Sequence, residues 1–205
     1  RAGSLGRVSG AQITYALPLS PLRSGPFNLW LLREPRNLLL EVGPHLAAFA
    51  VDLFGAPKVV FAEASNPVML PGNDPRPQAF RFLARAGDVD ITFVVSLVET
   101  QDDRSVTLLG SSARARLDFA SDVLVVEREN SSDLVVNPLR KQLDLSRQHL
   151  REGLRNAWTQ ARSLNQKGPY ALGFQGMNAA IYGNPGGAQD TRFSGQSAAT
   201  VMQVI

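Results

Sequence analysis

Apolar and polar residues alternate from Gly6 to Leu17, a run rich in Val, Ile, Thr and Tyr, and the alternation predicts a strand closed by Pro18, Pro21 and the Ser24-Gly25-Pro26 turn. A loop is expected to follow, up to about Asn37. Past Pro44 the apolar residues Leu46, Phe49, Ala50, Leu53 and Phe54 recur at i, i+3, i+4, i+7 and i+8, which predicts a helix with one buried stripe, ended by Gly55 and Pro57. Pro44 suits a first helical position, because the amide it lacks has no intrahelical partner there. Lys58 to Ala64 reads as a strand and the proline-rich stretch from Ser65 to Pro77 as a loop. Gln78 to Ala86 and Val89 to Val98 flank Gly87-Asp88 as a hairpin. The short β-rich runs Ser105 to Leu109, Ala113 to Phe119 and Val123 to Glu127 have the spacing of neighbouring antiparallel strands.

The pattern then turns helical. Leu143, Leu150, Leu154, Trp158, Ala161 and Leu164 form a long stripe, with Arg147, Arg151, Arg155 and Arg162 on the opposite face and Lys167-Gly168-Pro169 at the end. Another helix is predicted from about Tyr170 to Tyr182. After the turn cluster Gly183-Asn184-Pro185-Gly186-Gly187, Ser194 can cap a last helix with Ala198, Val201, Val204 and Ile205 on its apolar side. This order predicts one α+β domain over residues 1–205: a mostly antiparallel open sheet with helices on one face. Phe80, Phe82, Phe93, Val95 and Leu97 fall on both pleat directions, so the second face is expected to be available for a homo-oligomer packed sheet on sheet.

Composition removes several function classes. The chain has 205 residues, no cysteine and two histidines, His45 and His149, which excludes disulfides, thiolate metal sites and a histidine-rich metal centre. No metal is expected. Its net charge of +3 comes from 21 basic and 18 acidic groups, both halves carry a mixture of the two signs, and the pattern does not predict a nucleic-acid surface. No apolar run approaches the roughly 18 residues a membrane span needs, and no signal-peptide pattern opens the chain. The expectation is a soluble, cytoplasmic domain without a membrane partner. Arg1 in a turn and a terminal helix that stops unclosed at Ile205 are read as cut ends of something longer.

Catalytic chemistry has one plausible seat, Leu39-Leu40-Glu41-Val42-Gly43-Pro44-His45. With the helix starting at Pro44, His45 lies in its first turn, where the positive helix end favours the neutral imidazole and Glu41 can fix its tautomer. That makes a proton acceptor. The plainer reading is a helix-start histidine that satisfies a loop carbonyl.

Ser4-Leu5-Gly6-Arg7-Val8, Trp30, Leu40 through His45 with Leu53-Phe54-Gly55, Leu109-Gly110, and Ser194 through Val204, taken in order, resemble the C-terminal domain of the glucose-fructose oxidoreductase, inositol dehydrogenase and rhizopine-catabolism (Gfo/Idh/MocA) family. The similarity covers nearly the whole chain, and the acid-x-x-x-His segment running into a helix that ends Phe-Gly is its most specific part. The resemblance implies an N-terminal Rossmann domain, absent from this chain, that binds NAD or NADP, and a second domain that supplies the substrate pocket and the oligomer interface. No cofactor is expected on these residues alone, since they contain no strand followed by a glycine-rich phosphate turn.

By position, the resemblance implies His45 as acid/base on the reacting hydroxyl, with Glu41 where aspartate is usual. Arg36-Asn37-Leu38 stands where many members have glycines. Trp30, Arg33 and Asn178 are candidate contacts for a sugar- or polyol-type substrate, against plainer readings as surface or helix-end residues; Trp158 is expected to pack in the core. The arginine face could grip a phosphate but reads more simply as solvated. The leading expectation is therefore the substrate-binding and oligomerisation domain of an NAD(P)-dependent oxidoreductase, the chain alone being inactive. A non-catalytic dimerisation or ligand-binding module of the same fold is the alternative, and an arginine-rich surface for an acidic partner a third.

Overall fold

The computed structural model describes residues 3–98, 101–128, 136–163, 169–182 and 190–205. In chain order its elements are β1 (Val8–Ala16), α1 (Ser20–Ser24), α2 (Trp30–Arg33), α3 (Pro35–Phe54), β2 (Lys58–Leu70), β3 (Asp74–Ala86), β4 (Val89–Ser96), β5 (Asp103–Gly110), β6 (Ala113–Asp118), β7 (Val123–Arg128), α4 (Val136–Arg162), α5 (Pro169–Tyr182) and α6 (Gly195–Met202). The strands run in the order β2-β3-β4-β1-β5-β6-β7. β2 with β3, β3 with β4, β5 with β6 and β6 with β7 pair antiparallel, so the fold is α+β with a mostly antiparallel open sheet, as the sequence pattern leads one to expect. The turn cluster 183–187 lies outside the described residues. The chain forms two compact units, Arg1–Gly10 with Ser105–Asp190, and Ala11–Arg104 with Thr191–Ile205.

The second unit is built around α3. Its twenty residues make it the one described helix long and apolar enough to cross a membrane, but Leu38, Val42, Gly43, Leu46, Ala47 and Ala50 are buried, as befits a core helix. Leu39, Gly43 and Leu46 sit against Phe82, Phe93 and Val95 of β3 and β4. A Cβ on Gly43 would meet Ile205 Cδ1 at 3.1 Å, so the bare glycine is what lets the end of the chain seat on the helix. α6 is capped as expected, Ser194 Oγ accepting the Ser197 amide at 3.1 Å.

Two expectations fail here, each for a reason that involves proline. The helix starts at Pro35, not Pro44, and Pro44 lies inside it. A proline in that position leaves the Leu40 carbonyl without its intrahelical donor and normally clashes with the residue before it. Gly43 has no Cβ to clash, and the buried stripe on both sides of Pro44 holds the helix together across the missing bond. The stretch from Ser65 to Pro77 is likewise a hairpin instead of a loop, β2 and β3 being joined by Pro71-Gly72-Asn73 with Gly72 and Asn73 at positive φ. β4 pairs with β3 no further than Ala79, so at Pro75 and Pro77 one side of β3 needs no donor.

Arg76 of that hairpin is only 5% exposed. Its Nε donates to the Leu32 carbonyl and its Nη2 to the Arg33 carbonyl, both at 2.8 Å, while Nη1 reaches the Pro75 carbonyl at 3.1 Å and pairs with Asp74. A planar fork thereby holds the last carbonyls of α2, which a four-residue helix cannot satisfy itself. Asn37 Nδ2 donates to the Trp30 carbonyl at 2.6 Å and closes the corner between α2 and α3.

In the first unit α4 lies along β7, the last strand of the order. The Val126 amide donates to Gln148 Oε1 at 2.8 Å and Gln148 Nε2 donates back to the Val126 carbonyl at 2.9 Å, so one side-chain amide stands in for a neighbouring strand. Asn156 Nδ2 donates to the Ser121 and Asp122 carbonyls at 2.8 and 3.0 Å. Polar residues thus face the sheet edge and the apolar stripe faces away: Trp158, expected in the core, is exposed. The arginines run beside that stripe, not opposite it.

Two outcomes are expected. Arg76→Met strands the buried Leu32 carbonyl and the partly buried Arg33 carbonyl and should lower the unfolding free energy by about 2–4 kcal/mol, and Arg76→Lys should recover little of it, since one ammonium cannot bond both carbonyls in the plane of the fork; denaturant titration measures both. The second concerns pH. Lys141, by its hydrogen bond, and Arg114 hold the Glu127 carboxyl below its ordinary value of 4.5, against the opposing effect of partial burial. A depressed carboxylate contributes stability above its unfolded value and loses it as pH falls through the folded one. Below about pH 4.5 the denaturation midpoint of the wild type should therefore fall faster than that of Glu127→Gln.

Candidate functional site

Glu41 and His45 are one turn apart on α3, and both side chains are exposed. His45 is mid-helix, not in a first turn, so the positive helix end does not act on its ring as the sequence reading assumed. What the helix does provide is placement. Val42, Gly43, Leu46 and Ala47 anchor the same two turns in the core, so the backbone under Glu41 and His45 is fixed while their side chains stand free.

Trp30 and Arg33 belong to α2, directly before. Trp30 is 48% exposed and Arg33 is exposed, whereas Leu32 between them is buried. The segment is held from below by Arg76 and from the side by Asn37, so the indole and the guanidinium leave a rigid corner. Glu34 and Arg36 form an exposed ion pair of 2.8 Å at the same corner. Four of the five candidate residues therefore lie on the continuous segment from Trp30 to His45 of the second unit. Asn178 is on α5 of the first unit, exposed.

Hydropathy patterning does not reveal Arg76 or Asn37, yet they set the geometry of this segment. The flanking Pro75 and Pro77 offered one clue, because they force extended backbone at Arg76. A hollow of about 500 Å³ in the second unit opens elsewhere, among Lys58, Val59, Ala62, Phe82, Gln203 and Ile205, and none of the four candidates lines it.

No three His, Asp or Glu side chains gather where a metal could be held, among the described residues. A dinucleotide is not fitted either. The junction from β1 into α1 runs through Pro18-Leu19 and carries Pro21 in the first turn, so it lacks both the glycine and the amides that a pyrophosphate needs for close backbone approach. The chemistry on offer is an imidazole and a carboxylate at helical spacing on α3, with an exposed indole and guanidinium on the preceding helix α2.

No protein-family model and no curated protein sequence matches the chain. Solved structures do match in fold. WlbA dehydrogenase from Bordetella pertussis, in complex with NADH and UDP-GlcNAcA, aligns over 98% of this chain and 53% of its own, with a TM-score of 0.57 and 12% identity. A levoglucosan dehydrogenase bound to NADH and levoglucosan aligns over 63% of this chain and 38% of its own, with a TM-score of 0.52 and 16% identity. An inositol dehydrogenase homolog from Azotobacter vinelandii, complexed with NAD+, aligns over 63% and 36%, with a TM-score of 0.50 and 15% identity. The chain thus spans between about a third and a half of the proteins it matches. These neighbours are Gfo/Idh/MocA-type oxidoreductases, and it is their fold that the chain shares.

Proposed function

We propose that this chain is the substrate-binding and oligomerisation domain of an NAD(P)-dependent oxidoreductase acting on a sugar, a polyol or a related hydroxy compound. The observation that supports this reading is the two-sided helix α3, which is buried along Val42, Gly43 and Leu46 and presents Glu41 and His45, one turn apart, on its exposed side. In this reading His45 accepts the proton of the substrate hydroxyl as the carbinol becomes a carbonyl, and Glu41 holds the imidazole by hydrogen bonding. Trp30 offers a flat apolar face to a sugar ring and Arg33 donates to its oxygens. NAD or NADP is held by a dinucleotide-binding domain outside these residues. Support for the substrate class comes from the shared fold of the levoglucosan and inositol dehydrogenase structures.

Oligomerisation is assigned to the sheet face turned away from α3. Phe61 of β2 and Leu83 of β3 are cross-strand partners, 55% and 39% exposed, and Leu83 points opposite to Phe82, which packs toward the helix. An exposed apolar pair near the open end of the hairpin suits a sheet-on-sheet contact with a second copy. The alternative, a non-catalytic module of the same fold, draws support from the corner itself: Asn37 spends its side chain on the Trp30 carbonyl, at a place where the resemblance implies glycines that leave room for ligand.

The decisive measurement is made on the protein that includes its dinucleotide-binding part. His45→Ala should lower kcat by about two orders of magnitude while leaving NAD(P)H affinity, read by nicotinamide fluorescence, unchanged. An unaltered rate would remove His45 from the mechanism, and a wild type without turnover would favour the non-catalytic module. Phe61→Glu combined with Leu83→Glu should halve the sedimenting mass, or reduce it further, without loss of the far-ultraviolet dichroism; a mass that stays the same would rule out this face.

A further inference from the structure

We infer that helix α4 is a docking surface for an anionic lipid bilayer, held by its polar back on the sheet edge with its apolar front turned outward. The inference concerns the first unit and does not rest on the proposed oxidoreductase function. Leu139, Leu143, Leu150 and Leu154 fall within about 60° of one another around the helix at about 100° per residue, and Trp158 borders them. All five are between 62% and 68% exposed. The residues that tie α4 to the unit, Gln148 and Asn156 with Lys141 on Glu127, occupy the opposite side. An amphipathic helix normally buries its apolar side against its own sheet; this one does the reverse, over a stripe about 29 Å long at about 1.5 Å per residue.

Charge decides what the stripe meets. α4 carries six basic and two acidic side chains, a net of +4, whereas the whole chain is +3, so the positive charge of the molecule is concentrated on this helix. Arg155 is engaged with Asp122 and Glu152, and Lys141 with Glu127. Arg140, Arg147, Arg151 and Arg162 are exposed, follow one border of the stripe, and take part in no ion pair among the described residues. A second copy of α4 laid antiparallel on the first, about a two-fold axis, would bring these arginine borders together. A surface of lipid phosphates would neutralise them while the leucines enter the acyl boundary, the arrangement of an interfacial helix.

α5 points the same way independently. Its fourteen residues contain no charged side chain, Gln175 through Ala179 are exposed, and Tyr182 at its end is 75% exposed. An uncharged helix of this length is too short to span a bilayer, and it fits an interfacial segment, where Trp and Tyr are favoured at headgroup depth. An acidic protein groove would account for α4 and leave α5 without a reason.

The test is sedimentation of the whole chain with vesicles of phosphatidylcholine alone and of phosphatidylcholine with about one-third phosphatidylglycerol. Binding should be at least about tenfold stronger to the anionic vesicles and should weaken at high salt. Arg147→Glu with Arg151→Glu should remove most of that preference, at about fivefold per arginine. Leu150→Glu with Leu154→Glu should abolish binding to both; as these side chains are already in solvent, the far-ultraviolet dichroism and unfolding midpoint should not change. In a Trp30→Phe background, Trp158 emission should shift to the blue when anionic vesicles are added. The inference is overturned if the chain does not sediment with anionic vesicles, if the leucine variant binds as the wild type does, or if the stripe instead supports a concentration-dependent dimer that the leucine variant dissolves. Salt-insensitive capture by an acidic peptide in place of vesicles would overturn it equally.

Discussion

The arrangement of the second unit depends on the demand placed on α3, which must bury one side and keep the other in water across an internal proline. A proline in mid-helix forfeits a backbone bond and crowds the residue before it, so the helix persists only where packing outweighs that loss. Gly43 supplies the tolerance twice. It has no Cβ to meet the proline ring, and the same missing atom leaves room for the Ile205 side chain against α3. With Leu38, Val42, Leu46 and Ala50 seated in the core, the outward side chains of Glu41 and His45 occupy fixed stations a turn apart.

Rigidity in front of that helix has a different origin. α2 is a single turn whose terminal carbonyls have no partner within the helix, and in a buried corner such groups are costly unless something donates to them. Arg76 does so from the neighbouring hairpin, with a side chain whose own charge is satisfied by carbonyl oxygens and Asp74. Trp30 and Arg33 are consequently carried by a platform held by these hydrogen bonds together with the buried Leu32, the kind of support that positions a binding surface without filling it.

Period-based reading works where the signal is local. The alternation in β1, the Gly87-Asp88 hairpin, the β5-β6-β7 meander and the Ser194 cap are all legible, since each depends on residues close together in the chain. The start of α3 is not, because a proline's local preference is for a first helical turn, and the compensation lies in a glycine packed against residue 205. The long β2-β3 hairpin was missed for a related reason: its prolines are harmless only because β4 stops short of them, a fact of register invisible to composition. At the candidate site, the Glu41–His45 spacing was readable. Arg76 was not, since its partners are backbone carbonyls more than forty residues away.

α3 and α4 show the limit of such reading from two sides. Both have an apolar stripe of helical period, and by sequence alone both predict a side turned to the core. In α3 the six residues Leu38, Val42, Gly43, Leu46, Ala47 and Ala50 are buried, and burial of that stripe is what attaches the helix. In α4 the attachment is polar instead: Gln148 bonds the Val126 amide and carbonyl on the open side of edge strand β7, Asn156 bonds two carbonyls of the turn before it, and Lys141 pairs with the Glu127 side chain. Periodicity identifies which residues share a side of a helix; which side the protein uses is set by whether the nearest surface offers apolar side chains or unpaired backbone. β7 is an edge and offers backbone, so the polar side of α4 wins it and the leucines are left for a different medium.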